Sequence, residues 1–142
     1  MNLSARTEYA CIAVLDLAAS FGSGEPVRIR KIAEQHEIPP RFLVQILLQL
    51  KIAGIVSSTR GAAGGYELIR DPNDISLGNV MSVVDAHVVP TVSKAELASP
   101  ASRALSEAWA EVAQIEQEML ASISFADLLE RAKEQPENMY YI

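Results

Sequence analysis

The sequence predicts a mainly α-helical fold that carries one small β-hairpin and ends in a long amphipathic helix. Three observations predict it. Apolar residues recur at three-to-four spacing along most segments. Two short runs rich in β-branched and aromatic residues flank one glycine-rich tip. Leu105, Trp109, Val112, Ile115, Met119 and Ile123 keep helical spacing through residues 101–122 and just beyond.

The first helix is expected over about 4–21, with Ser4 as its N-cap and Tyr9, Ile12, Ala13 and Asp16-Leu17 recurring at helical spacing. Gly22 ends it, and residues 22–26 form a loop. Val27 and Ile29 lead into a short helix, about 29–36, with Ile32 and Ala33 inward. Pro39 and Pro40 stop one helix and seat the first turn of the next. That next helix, about 40–53, places Phe42, Leu43, Ile46, Leu47 and Leu50 on one face. Arg41, Gln45 and Gln49 fall on another face, and Lys51 is also polar.

Residues 55–59 and 66–69 read as strands, joined by the tip Arg60-Gly61-Ala62-Ala63-Gly64-Gly65. A turn at 70–74 follows. Ser76 caps a helix of about 77–86, with Leu77, Val80, Met81, Val83 and Val84 apolar. Residues 87–100, bounded by Pro90 and Pro100, are expected to be an irregular connection. A long helix covers about 101–122. Ser124 and Asp127 resemble a capping box for a last helix at 125–134, before a frayed tail from Gln135 to Ile142. Three units result: residues 1–86, a connecting segment 87–100, and residues 101–142.

Composition narrows the function classes. At 142 residues the chain fits one domain with an appended arm, and 49 % apolar residues suffice for a real core. With 6 % aromatics, that core is mostly Leu, Ile, Val and Ala. No apolar run reaches the roughly 18 residues a membrane span needs. The first residues show no basic stretch followed by an apolar one, so a cytoplasmic protein with no membrane partner is expected. The single cysteine, Cys11, excludes an intrachain disulfide.

The net charge of −6 is unevenly distributed. Residues 1–70 hold eight Lys/Arg against six acids; residues 71–142 hold four against twelve. A basic half and an acidic half suggest that one end meets a polyanion, although an uneven solvated surface gives the same numbers.

Helix, short helix, sharp turn, second helix and two-stranded hairpin make up the plan of a winged helix-turn-helix. Its second helix enters the major groove of double-stranded DNA. Arg41 suits guanine there, and Gln45 and Gln49 suit adenine. Arg60 at the wing tip suits a narrow minor groove or a phosphate. Ser57, Ser58 and Thr59 are candidate phosphate donors. Arg28, Lys51, Gly61, Gly64, Gly65 and Tyr66 complete the candidate DNA-binding set. The glycines also read simply as a loose turn. No Gly-Lys-Ser/Thr motif supports a nucleotide-binding loop.

The stretch Leu50-Lys51-Ile52-Ala53-Gly54-Ile55-Val56-Ser57-Ser58-Thr59-Arg60-Gly61-Ala62-Ala63-Gly64-Gly65-Tyr66-Glu67-Leu68 resembles the signature of the Rrf family, which includes the IscR, NsrR and CymR regulators. Arg6-Thr7-Glu8-Tyr9-Ala10, Ile32-Ala33, Ile38-Pro39, Ile75–Val80, Val84-Asp85 and Ile123–Leu128 support the similarity, which spans about residues 1–134. The resemblance implies a transcription regulator, a repressor by expectation. It also implies a homodimer joined through Leu105, Trp109, Val112, Ile115, Met119 and Ile123. Its recognition helices would enter successive major grooves roughly 34 Å apart.

Many members of that family hold an iron–sulfur cluster on three cysteines between the helix after the wing and the dimer helix. Here Ala86 to Arg103 contains no cysteine. Two copies of Cys11 fall short of the four thiolates such a cluster uses, so no cofactor is expected. Glu8 reads as a solvated or DNA-proximal acid. His36 and His87 read as a surface and a helix-end residue, not as a zinc pair. The signal is then a small metabolite or a partner protein. The alternative reading is a protein-interaction module on a degenerate regulator fold, and a lesser one is a thiol-based redox sensor at Cys11. Nothing groups a nucleophile with a base, so an enzyme is not expected.

Overall fold

The computed structural model describes residues 1–85 and 99–136. The connecting segment before Ser99, His87 and the tail beyond residue 136 lie outside the described residues. Among the described residues, six helices and one hairpin follow in order: α1 (Ala5–Ala19), α2 (Ile29–His36), α3 (Pro40–Ile52), β1 (Val56–Thr59), β2 (Gly65–Leu68), α4 (Leu77–Val84), α5 (Pro100–Ser122) and α6 (Phe125–Lys133). A 3₁₀ turn, Pro72–Asp74, precedes α4. Among the described residues, no helix is long and apolar enough to cross a membrane.

The helix starts follow from local chemistry. Ser4, Ser76, Ser99 and Ser124 each accept a backbone N–H of the helix they open. At Ser76 and Ser124 the third residue, Asn79 and Asp127, bonds back to complete a capping box. α5 starts at Pro100, a residue that the sequence places in the irregular connection. Proline suits a first helical position because its missing N–H has no helical partner there.

The core gathers around α1, which packs against α2, α3, α4, α6 and the wing strand β2. Ala10, Ala13, Val14, Leu17 and Ala18 are its buried apolar residues. The burial therefore differs from the expected stripe: Tyr9 and Ile12 are half-buried, and Asp16 faces α2. A helix touched on several sides buries its small residues, which let neighbouring backbones approach. α3 supplies Leu43, Ile46, Leu47 and Leu50, while Phe42 sits at the edge, its ring 6.0 Å from that of Tyr9. Ile55, Val56, Leu68, Ile75, Val80 and Val84 close the core from the wing and α4.

The core crosses the boundary that the sequence suggests near residue 86. Phe125, at the start of α6, is 0 % exposed and lies in the same cluster. Its backbone N–H bonds to the Ile75 carbonyl at 2.9 Å, and the Leu77 N–H bonds to the Ile123 carbonyl at 2.9 Å. Complete burial of such a side chain contributes about 2–3 kcal/mol. Gly78 lies close under the backbone of Leu120 and Ala121, so α4 and the end of α5 run in near contact.

Candidate nucleic-acid interface

The turn between α2 and α3 is tight. Glu37 takes the left-handed conformation with φ 55°, and Pro39 and Pro40 follow at once. With Leu43, Ile46, Leu47 and Leu50 turned inward, α3 leaves Arg41, Val44, Gln45, Leu48 and Lys51 exposed. Arg41 lies over the Phe42 ring, 5.1 Å from its centre.

The wing pairs Val56 with Leu68, Ser57 with Glu67, Ser58 with Tyr66, and Thr59 with Gly65. β2 thus starts and ends one residue before the expected strand. Gly65 (φ 147°) pairs because a Cβ there would sit 2.6 Å from the Val27 carbonyl oxygen. That close approach lets Val27 and Tyr66 exchange backbone hydrogen bonds of 2.9 and 2.8 Å. The bridge holds the chain just before α2 against the wing, which brings Arg28 beside it. Gly64 has no room for a side chain either: its Cβ would meet the Thr59 carbonyl oxygen at 2.3 Å. The glycines are therefore required by backbone geometry, and the loose-turn reading is incomplete.

An open hollow of about 480 Å³ lies between the wing, the start of α2 and the end of α3. Arg28, Arg30, Lys51 and Arg60 line it together with Ser58, Thr59, Gly61, Gly64, Gly65 and Tyr66. The lining contains four cationic side chains and no carboxylate. No side chain caps the first N–H groups of α2, because Arg28 holds the N-cap position. Those N–H groups add positive potential to the same hollow. Lys51 Nζ donates to Ser58 Oγ at 2.7 Å and ties α3 to the wing. Ser57 does not line the hollow and is half-buried. Arg30 was not singled out by the sequence; its i, i+4 partner Glu34, at 3.0 Å, makes it read as an ordinary surface pair.

Arg6, at the start of α1, is the second residue missed. Its guanidinium donates to Gln45 Oε1 at 3.3 Å and to Gln49 Oε1. Arginine only donates, so both amides must turn their oxygens to it and their NH₂ groups away. The two glutamines are thus presented as donors. The expected pairing with adenine would then use the second lone pair of each amide oxygen. Pairs separated by 39 and 43 residues leave no local sequence signal.

On α5, Leu105, Trp109, Val112, Ile115 and Met119 are each 50–66 % exposed. α5 buries none of its described residues. Ile123 stands apart from that stripe. It ends the helix, is half-buried, and its carbonyl is held by α4.

His36 is not a free surface residue: its Nε2 lies 2.9 Å from Asp16 Oδ2 and joins α2 to α1. Cys11 is half-buried on α1. Burial, with Asp85 and Glu8 adding negative potential, pushes its thiol up to about 11. That is the reverse of what a reactive thiolate needs.

A family model described as Rrf2, iron-dependent transcriptional regulator, matches residues 3–131. The chain belongs to the Rrf2 family. It is 32 % identical over 143 residues to the HTH-type transcriptional regulator CymR of Bacillus subtilis, covering 100 % of both chains. Among solved structures it is similar to T. potens IscR, with a TM-score of 0.78, 33 % identity, and 100 % and 97 % of the two chains covered. The CymR structure from B. subtilis gives a TM-score of 0.80 at 30 % identity, covering 92 % of this chain and 98 % of that one. These likenesses establish the winged-helix fold and a transcriptional regulator with DNA as its partner.

The family description raises the question of iron. Thiolates hold iron–sulfur clusters, and this Rrf2 member has one cysteine, whose environment favours the neutral thiol. Among the described residues, no group of three or more His, Cys, Asp or Glu side chains is gathered where a metal would sit. The donor set does not fit a thiolate-held cluster.

Proposed function

We propose that this Rrf2 family member is a sequence-specific, homodimeric DNA-binding repressor of the cytoplasm, cluster-free, that answers to a small metabolite or a partner protein and has no enzymatic activity. The observation that carries the reading is the hollow lined by Arg28, Arg30, Lys51 and Arg60 without a carboxylate, directly beside the exposed face of α3. Cations positioned by a wing and a helix start suit phosphates, and the adjoining helix suits base edges. The bare stripe of α5 supports the dimer, since apolar side chains half or more exposed gain by covering one another.

Titration of labelled DNA from upstream of the protein's own gene, against scrambled DNA at several salt concentrations, tests the proposal. Two copies per site and strong preference for one sequence are expected. If that fragment fails, selection from a random library replaces it. Weak binding that is equal on all sequences and lost at physiological salt would overturn the proposal. It would favour a protein-interaction module, for which the bare α5 stripe is the supporting observation.

A further inference from the structure

The recognition helix carries an apolar stripe that the core does not use. Val44, Leu48 and Ile52 recur at i, i+4 and i+8 on α3 and are 50, 53 and 79 % exposed. At about 100° per residue, this stripe runs between Lys51 on one side and the Gln45–Gln49 line on the other, with Arg41 within it. It therefore occupies the middle of the face that α3 turns outward.

An apolar stripe in a helix's exposed middle needs an occupant. α3 carries Arg41 and Lys51 and no carboxylate, and the cationic hollow continues from its end. An apolar protein surface laid on this face would strip water from those cations and leave them unpaired, which is costly. The major groove of DNA meets both needs. Its walls are phosphates, and its floor carries one apolar group, the thymine 5-methyl.

The neighbouring donors narrow the choice. Arg6 holds the carbonyl oxygens of Gln45 and Gln49, so donor NH₂ groups border the stripe. Thymine displays its methyl beside the O4 acceptor, whereas cytosine displays a donor and no methyl. An apolar stripe bordered by donors matches thymine.

We propose that Val44 and Leu48 read thymine methyl groups in the major groove, so that each half-site carries thymine beneath them. The inference rests on the DNA-binding reading above, and its test separates the two. A binding site is first selected from random duplexes with the full chain. Each thymine is then replaced by deoxyuridine, which removes the methyl and keeps every hydrogen-bonding group. One or two positions per half-site are expected to lose affinity by roughly fourfold each. The Val44→Ala, Leu48→Ala double variant, altered at two exposed positions, is expected to bind thymine and uracil sites equally.

Uracil tolerated at every position by the unaltered protein would overturn the inference while leaving sequence-specific binding intact. Uracil sensitivity that persists in the double variant would overturn the assignment to these side chains. Failure of the selection to return any site would overturn the DNA-binding reading itself, and this inference with it.

Discussion

Thr7, 1 % exposed on α1, donates its hydroxyl to Asp85 Oδ2 at the end of α4 across 2.5 Å. Both residues belong to the short motifs that flag the family, and the bond supplies a physical reason for their pairing. A hydrogen bond to a carboxylate contributes about 2 kcal/mol. Thr7→Val keeps the shape and removes the donor, so it is expected to lower stability by about that much. Thr7→Ser keeps the donor and is expected to cost less. Urea unfolding at one fixed protein concentration separates them, because association would otherwise shift the midpoint. Equal losses would show that packing, not the bond, matters at this site.

Arg6 is expected to act on DNA through its neighbours. Arg6→Met frees the amides of Gln45 and Gln49 to turn and to accept hydrogen bonds on either lone pair. The pair contacts are part-exposed, so folding stability is expected to change by about 0.5 kcal/mol or less. Preference among single-base variants of the selected site is expected to relax at the positions under the two glutamines. An unchanged preference profile would remove Arg6 from the reading of sequence.

Arg60 and Gly64 separate charge from shape in the wing. Arg60→Ala is expected to weaken binding to every duplex alike and to lower the slope of log K against log salt by about 1. Gly64→Ala forces a Cβ to within 2.3 Å of the Thr59 carbonyl oxygen, so the tip must rebuild. It is expected to weaken DNA binding at least as much, with the dimer preserved. Filter binding over a salt series and sedimentation together read both effects.

Trp109→Glu places a charge in the middle of the bare α5 stripe. Sedimentation is expected to show a monomer with unchanged helix content, since α5 buries none of its described residues. A dimer that survives would move the interface elsewhere.

Cys11 gives a pH test. Its folded-state value of about 11 lies above the ordinary 9.0, and burial is the main cause. The resulting contribution to stability is complete below about pH 9 and is lost as pH rises through about 11. Alkylation by iodoacetamide is therefore expected to be slow at pH 7.5 in the folded protein and fast in urea. Rapid reaction of the folded protein at pH 7.5 would restore the thiol-sensor alternative.

Much of this architecture was legible because it is local. Leu43, Ile46, Leu47 and Leu50 announce the inward face of α3, and Ser4, Ser76 and Ser124 mark helix starts by hydrogen bonds to residues only three positions on. Lys51 and Arg60 sit within a motif long enough to suggest a wing. What escaped depends on distant pairings. Arg6 gains its meaning from glutamines on another helix, and Arg30 from the bridge between Val27 and Tyr66, which sets the start of α2 beside the wing. Val44 and Leu48 belong to neither face that the sequence assigns to α3, and only the packing shows that they face outward. Phe125 reads as the start of a terminal helix, and nothing local ties it to Ile75.

That tie has a consequence for how the chain is made. A ribosome releases the winged half first, but its core lacks a large side chain until Phe125 has been added and the Ile75 carbonyl has met its N–H. α5 is synthesised in between. The winged half is thus sealed only after α5 has emerged, so a nascent chain closes the core of its DNA-binding half in one late step, with the long helix already made.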